Sequence, residues 1–290
     1  MNYRITTDTT CDLPVSFYTD HRMPLLGLTC RLDTGREFTE GAADSMPLKE
    51  FYQYLRDGGS ASTMQMNAWQ FCEAIEPLVA AGEDVLHIAF SGGLSGTYQS
   101  CVQGAVELRE KYPDRRIEVV DSLCASMGEA LLVTYALHNQ QNGMSLDENL
   151  QWLEENKLNL AHWFTVDDLM FLHRGGRVSK SSAILGSLIG IKPILHVDDE
   201  GHLILVGKKR GRKASIEELA NRAINSCLGE LKDQPVFICH GDCEDDANTL
   251  ADMLRERAGV ENIVIQPIGT VIGSHSGPGT LAVFFMADKR

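Results

Sequence analysis

Ser, Thr and Gly crowd into three short segments, "TTDTT" (6–10), "SGGLSGT" (91–97) and "DSLCAS" (121–126). Each follows a run that reads as a strand, and the last two lead into runs that read as helices. Hydroxyls and backbone N–H groups at a helix start hold an anion through short directed hydrogen bonds and the positive end of the helix dipole. Ser and Thr are also ordinary helix caps, and any one of these loops is explained that way. All three together, without a Lys or Arg in any, favour a singly charged anion such as a carboxylate. Phosphate fits less well, because "SGGLSGT" lacks the Lys and the glycine spacing of a P-loop and no G-x-G-x-x-G follows the first strand.

The same residues admit a hydrolase. Ser91 or Ser95, Asp121 and His275 occur in the Ser…Asp…His order of α/β-hydrolases. Gly-Leu-Ser-Gly around Ser95 is nevertheless one residue short of the nucleophile elbow, and residue order weighs little in a chain with nine histidines. A zinc site is a third possibility, since "CHGDC" (239–243) brings Cys239, His240, Asp242 and Cys243 together. Structural zinc needs a second ligand pair at similar spacing, and the sequence has neither that nor a C-x-x-C. No metal is expected, and the eight cysteines read as free, mostly buried thiols of a reducing compartment.

The balance of the chain narrows its partners. A net charge of −14 argues against nucleic acid and against anionic membranes, both of which select for Lys and Arg. The longest apolar stretch, "AILGSLIGI" (183–191), is nine residues long, too short to cross a bilayer. No basic-plus-apolar leader opens the sequence. The expectation is a cytoplasmic protein without stable membrane insertion.

The elements that must position these loops alternate. Strands at 3–8, 84–90 and 116–122, with helices at about 94–112, 126–141 and from Ser145 onward, predict a parallel, helix-covered sheet. The segment 41–71 looks like an insertion carrying two short helices around a glycine-rich loop. Beyond residue 160 the order changes: a strand at 162–169, a hairpin around Glu200–Gly201, a helix over 215–231 with a Ser215/Glu218 capping box, and strands flanking a helix over 244–258. The predicted fold is α/β with two domains. Residues 1–160 form the parallel one, residues 161–290 one with a more mixed sheet, and the ligand lies between them, beyond the carboxyl ends of the strands.

In order along almost the whole chain, "TTDTTCDLP", "SGGLSGTYQS", "VDSLCASMGEALLV", "FTVDDLMFLHRGGRVS", "IGIKPIL" and "IGSHSGPGTLAVFF" resemble the serial signatures of the DegV family. The resemblance implies a two-domain fatty-acid-binding protein with no cofactor beyond its lipid. It further implies a carrier, inactive alone, that presents the fatty acid carboxylate to a separate fatty acid kinase for acyl-phosphate formation in phospholipid metabolism. Carried over residue by residue, it places the carboxylate-binding Thr at Thr63 and the motif histidine at His275. The family's Ser-Ser doublet falls on Ser91 and Gly92. Because Gly92 has no hydroxyl, Ser91, Ser95 and backbone N–H groups around Gly92 and Gly93 are expected to hold the carboxylate. Arg177 of the G-G-R motif and Arg210 within "GKKRGRK" (207–213) are expected to meet phosphate or the partner.

A long acyl chain gains roughly 0.8 kcal/mol per buried methylene, so most of the affinity must come from an apolar slot. Phe164, Ile184, Leu185, Leu188 and Ile189 are the expected lining, and each could equally be core.

Overall fold

The computed structural model describes residues 3–179 and 190–290. Strands β1 (Tyr3–Thr7), β5 (Asp84–Ala89) and β6 (Ile117–Asp121) form an all-parallel sheet in the order β1-β5-β6. Side chains alternate across a strand. Val85 and Ile117 accordingly pack with Phe71 and Ile75 of α3 (Ala68–Ala80) and Cys101 and Leu108 of α4 (Thr97–Lys111). Leu86, Ile88 and Val120 pack on the opposite side, with α5 (Met127–Gln141) and α6 (Leu146–Asn156). A strand covered on both faces needs an unbroken apolar run, which is why "VLHIA" does not alternate.

Helix α5 is mostly apolar over its first turns because sheets close around it there. It touches β1 and β5 of the parallel sheet and β7 (Leu160–Thr165), β10 (Val236–His240) and β12 (Leu281–Met286) of a second sheet. Met127, Ala130, Leu131, Leu132, Val133 and Ala136 are fully buried there.

That second sheet has six strands in the order β11-β10-β12-β7-β8-β9, completed by β8 (Ile191–Val197), β9 (Leu203–Arg210) and β11 (Ile263–Pro267). Only β10 and β11 run parallel, so the sheet is mixed. Its period-2 pattern sorts side chains cleanly. Phe237, Cys239 and Phe284 face α5, while Val236, Ile238, Val283 and Phe285 face α8 (Arg212–Ser226) and α9 (Glu244–Ala258). The expected start of α8 is corrected. Gly211 turns the chain at φ 88 and the helix begins at Arg212, so Ser215 is its fourth residue and bonds back to the Arg212 carbonyl at 2.7 Å rather than capping.

The segment 41–71 also differs from expectation. It holds one helix, α2 (Leu48–Arg56), and then a strand, β4 (Ala61–Met64), before α3 begins. Strand β4 pairs antiparallel with β2 (Thr29–Leu32), which also pairs with β3 (Glu37–Thr39), making a third small sheet. Thr63 therefore sits on a sheet edge, not in a loop. Among the described residues three short helices remain, α1 (Val15–Asp20), α7 (Met170–Arg174) and α10 (Thr270–Ser276).

Candidate functional site

A cavity of about 380 Å³ opens where the loop after β5, strand β4, the inner face of the six-stranded sheet and α10 converge. Much of its wall is apolar, from Leu28, Phe90, Phe164, Val197, Ile272 and Phe284 among others. Phe164 is thus where the expected tail slot runs; Ile184, Leu185, Leu188 and Ile189 lie outside the described residues. Several polar residues on the wall already have internal partners. Thr280 donates to the Ser276 and Gly277 carbonyls at 3.0 and 2.9 Å, and Ser126 donates to Asp12.

A group of further polar residues gathers at one end, among them Ser95, whose hydroxyl accepts from Thr97 N–H at 3.2 Å. Strand β4 presents Thr63 toward α10, whose His275 Nε2 lies 2.7 Å from Thr63 Oγ1. His275 Nδ1 is buried without a hydrogen-bond partner, and Gly175 leaves room for it, since a Cβ there would collide with that nitrogen. Arg177 reaches across from the turn after α7. Its Nε and Nη2 donate to the Leu94 carbonyl at 3.2 and 3.0 Å, and Nη1 donates to the Gly175 carbonyl. Leu94, Ser95 and Gly96 line the cavity beside Gln65, and Gly96 is the cap before the 15-residue helix α4. The first N–H groups of that helix lack carbonyl partners within it, and its dipole favours negative charge there.

Electrostatics sharpen this end. Burial first, and the Arg177 guanidinium second, push His275 down to about 4. Its imidazole is neutral near pH 7 and shares one hydrogen bond with Thr63. Burial also lowers the pKa of Arg177, because taking an ion out of water disfavours its charged form. A carboxylate entering here would meet one guanidinium and several neutral donors.

Thr63, Ser95, Arg177 and His275 therefore come together, although they are widely separated in sequence. Ser91, Gly92 and Gly93 do not line the cavity. Fully buried Ser91 donates to the Gly201 carbonyl at 2.9 Å and accepts from Gly93 N–H at 3.2 Å, so it fastens the β8–β9 turn to the loop after β5. A Cβ at Gly93 would lie 2.5 Å from the Glu200 carbonyl oxygen, and one at Gly92 2.5 Å from Asp121 Oδ2. Gly92 N–H donates to Asp121 Oδ1 at 3.0 Å. Asp121 is held by the Gly92 and Leu123 N–H groups, and no carboxylate orients His275, whose Nδ1 is unpartnered. Among the described residues, no side chain stands as the third member of a hydrolase triad beside His275.

Arg210 is exposed at the end of β9 and does not line the cavity. The "CHGDC" side chains diverge. Cys239 Sγ lies 3.2 Å from Ser126 Oγ, His240 Nδ1 accepts from Cys243 N–H, and Asp242 pairs with Arg56. Sequence reasoning missed Gly96 and Gln65 at the polar end. Gly96 had a signal, since it immediately precedes the helix; Gln65 had none until β4 was known to be a strand.

Fold and cavity together define an α/β protein that encloses an amphipathic ligand site. The chain belongs to the DegV family, whose profile matches residues 2–288. A DegV domain-containing protein of Clostridium perfringens is 46% identical over 290 residues, covering 99% of this chain and 98% of its own. The structure of a fatty-acid-binding DegV family protein from Thermus thermophilus superposes with a TM-score of 0.87 at 30% identity, covering 99% of this chain and 100% of that one. The fatty acid kinase B3 protein of Streptococcus pneumoniae, loaded with linoleic acid, superposes with a TM-score of 0.85 over 99% of this chain and 100% of its own. Its identity is 20%, which speaks for the shared fold alone. Among the described residues no helix is long and apolar enough to cross a membrane, and no three His, Cys, Asp or Glu side chains group as a metal site.

Proposed function

We propose that the cavity binds a long-chain fatty acid, lying between the parallel domain (1–160) and the mixed-sheet domain (161–290). Its carboxylate would be held by Thr63, Ser95, the Gly96 N–H, His275 and Arg177. The observation that carries this reading is the division of one 380 Å³ cavity into an apolar length and a polar end next to the start of α4. A volume in the range of small-molecule sites, with most affinity from buried methylenes, suits an acyl chain better than a compact polar anion. The binding named for the Thermus relative supports it. Denaturing the purified protein and weighing what is released tests it. A stoichiometric fatty acid is expected, and an empty protein that fails to take up added fatty acid would refute it.

The finer proposal is that this cytoplasmic protein acts as the carrier of a fatty acid kinase and has no activity of its own. The unpartnered His275 and the missing triad carboxylate support a non-hydrolytic role. The fold shared with the kinase B3 protein is compatible with such a partner. Incubating the lipid-loaded protein with ATP, with and without a fatty acid kinase catalytic subunit, should yield acyl phosphate only when both are present.

A further inference from the structure

A second cavity, of about 310 Å³, lies on the other side of Asp12 from the acyl site. Its wall is apolar except for a few hydroxyls, one amide and two carboxyls, Asp12 and Glu40. No Lys, Arg or His lines it. Asp12 and Glu40 are 7% and 8% exposed, and both crowd Gly269, where a Cβ would meet Asp12 Oδ1 at 2.8 Å and also Glu40 Oε1. Asp12 is satisfied by Gly269 N–H at 2.8 Å and by the Ser126 hydroxyl. Glu40 is only half satisfied. Oε1 accepts from Thr270 Oγ1 at 3.1 Å and Val271 N–H at 2.9 Å, while Oε2 is buried with no partner within hydrogen-bond distance, although the Thr9 side chain is near enough to favour the charged form.

Two buried carboxyls side by side cannot both ionise without a cation. The titratable groups around them, Asp8, Glu129, Cys30, Tyr52 and Cys239, are acids too. Burial raises both carboxyls above their ordinary range, and Glu40 raises Asp12 further. A proton is one solution, but it leaves a cavity with apolar walls unused. A hydrated metal ion would not use those walls either, and the described residues provide no third acidic, histidine or cysteine ligand.

We propose that this cavity binds a small organic ammonium ion, its head between Asp12 and Glu40 and its apolar body against Leu25 and Met46. The ammonium supplies the donor that Glu40 Oε2 lacks, and a charge-assisted hydrogen bond of that kind is about twice as strong as a neutral one. Binding then ionises the pair and releases protons to solvent.

Hexylammonium chloride, with hexanol and magnesium chloride as controls, titrated calorimetrically into the full-length protein tests this. Hexylammonium should bind at least about tenfold tighter than hexanol, with heats that change between buffers of different ionisation enthalpy as protons leave. Glu40→Gln should weaken hexylammonium by at least about tenfold and leave hexanol unchanged. Should that variant not fold, Leu25→Trp, which fills the cavity while keeping both carboxyls, should abolish binding instead. Equal affinity for hexanol reduces the cavity to an apolar hole, and competition by magnesium makes it a metal site. Either result overturns the proposal, as does binding that neither substitution changes or no binding at ~10 mM. The acyl site is not involved, so failure here leaves the fatty acid reading intact.

Discussion

Thr63 Oγ1 and His275 Nε2 lie 2.7 Å apart although 212 positions separate them. The bond joins the edge of a small antiparallel sheet to a short helix near the end of the chain, and it places two neutral groups at the polar end of the 380 Å³ cavity. Thr63→Val keeps the shape and removes the hydroxyl. A lost hydrogen bond to a charged group is worth about 1.5–3 kcal/mol, so affinity for a fluorescent fatty acid should fall roughly tenfold to a hundredfold. Unchanged affinity would take Thr63 out of the site.

Ser91 and Ser95 sit four residues apart and should behave oppositely. Ser91→Ala removes the bond to the Gly201 carbonyl, so it should lower stability by about 1 kcal/mol and leave fatty acid affinity nearly unchanged. Ser95→Ala, on the cavity wall, should weaken fatty acid binding, and it also gives up the local bonds to Thr97 at the start of α4, so its effect on affinity should exceed its effect on stability. Urea unfolding and ligand titration of both variants separate the roles. A Ser91→Ala protein of normal stability and weak binding would return that serine to the carboxylate.

Gly175 controls the site without touching the ligand. Its φ of −69 suits any residue, but an added Cβ would run into His275 Nδ1. Gly175→Ala should therefore fold and bind fatty acid poorly, because the imidazole must swing away from Thr63. Normal binding by this variant would mean that His275 has room to move without consequence.

Much of this was legible because it rests on local pattern. The parallel strands announce themselves as apolar runs followed by hydroxyl-rich loops, and α6 by the Ser145/Glu148 capping box that forms as expected. Strand β4 was not legible. "ASTM" is short, and its burial alternates only because β2 lies alongside, a pairing no local signal contains. The same limit hides the neighbours of the glycine-rich loop. Ser91 and Ser95 look alike in sequence, and what distinguishes them is the β8–β9 turn, which arrives from more than a hundred residues away to occupy Ser91.

Stability should carry the signature of a neutral His275. Its folded pKa of about 4 lies below the ordinary histidine value of about 6.5. Folding therefore gains from this group above the ordinary value, and that gain is lost as pH falls from about 6.5 through about 4. Replacing the residue by Asn removes this contribution, so the stability difference between wild type and His275→Asn should shrink on acidification across that window. The buried acids titrate in both proteins and cancel in the difference. A difference independent of pH would mean that the imidazole is exposed to solvent.

Arg210 tests the step after binding. Lys209 pairs with Glu218 at 2.7 Å and Arg212 with Asp246 at 2.8 Å, whereas Arg210 has no ion-pair partner among the described residues and points to solvent at the strand end. The acyl cavity already holds neutral donors and Arg177, so fatty acid occupancy does not need Arg210. An acyl phosphate carries more negative charge than the carboxylate, and a kinase surface brings its own, so an exposed cation outside the cavity becomes useful only then. Arg210→Ala should retain its lipid and lose most acyl-phosphate formation with a fatty acid kinase catalytic subunit. Any docking contribution should weaken with added salt. Lipid content and acyl phosphate are measured on one preparation. Loss of both together would make Arg210 part of the lipid site, and survival of both would leave it a solvated side chain with no part in either step.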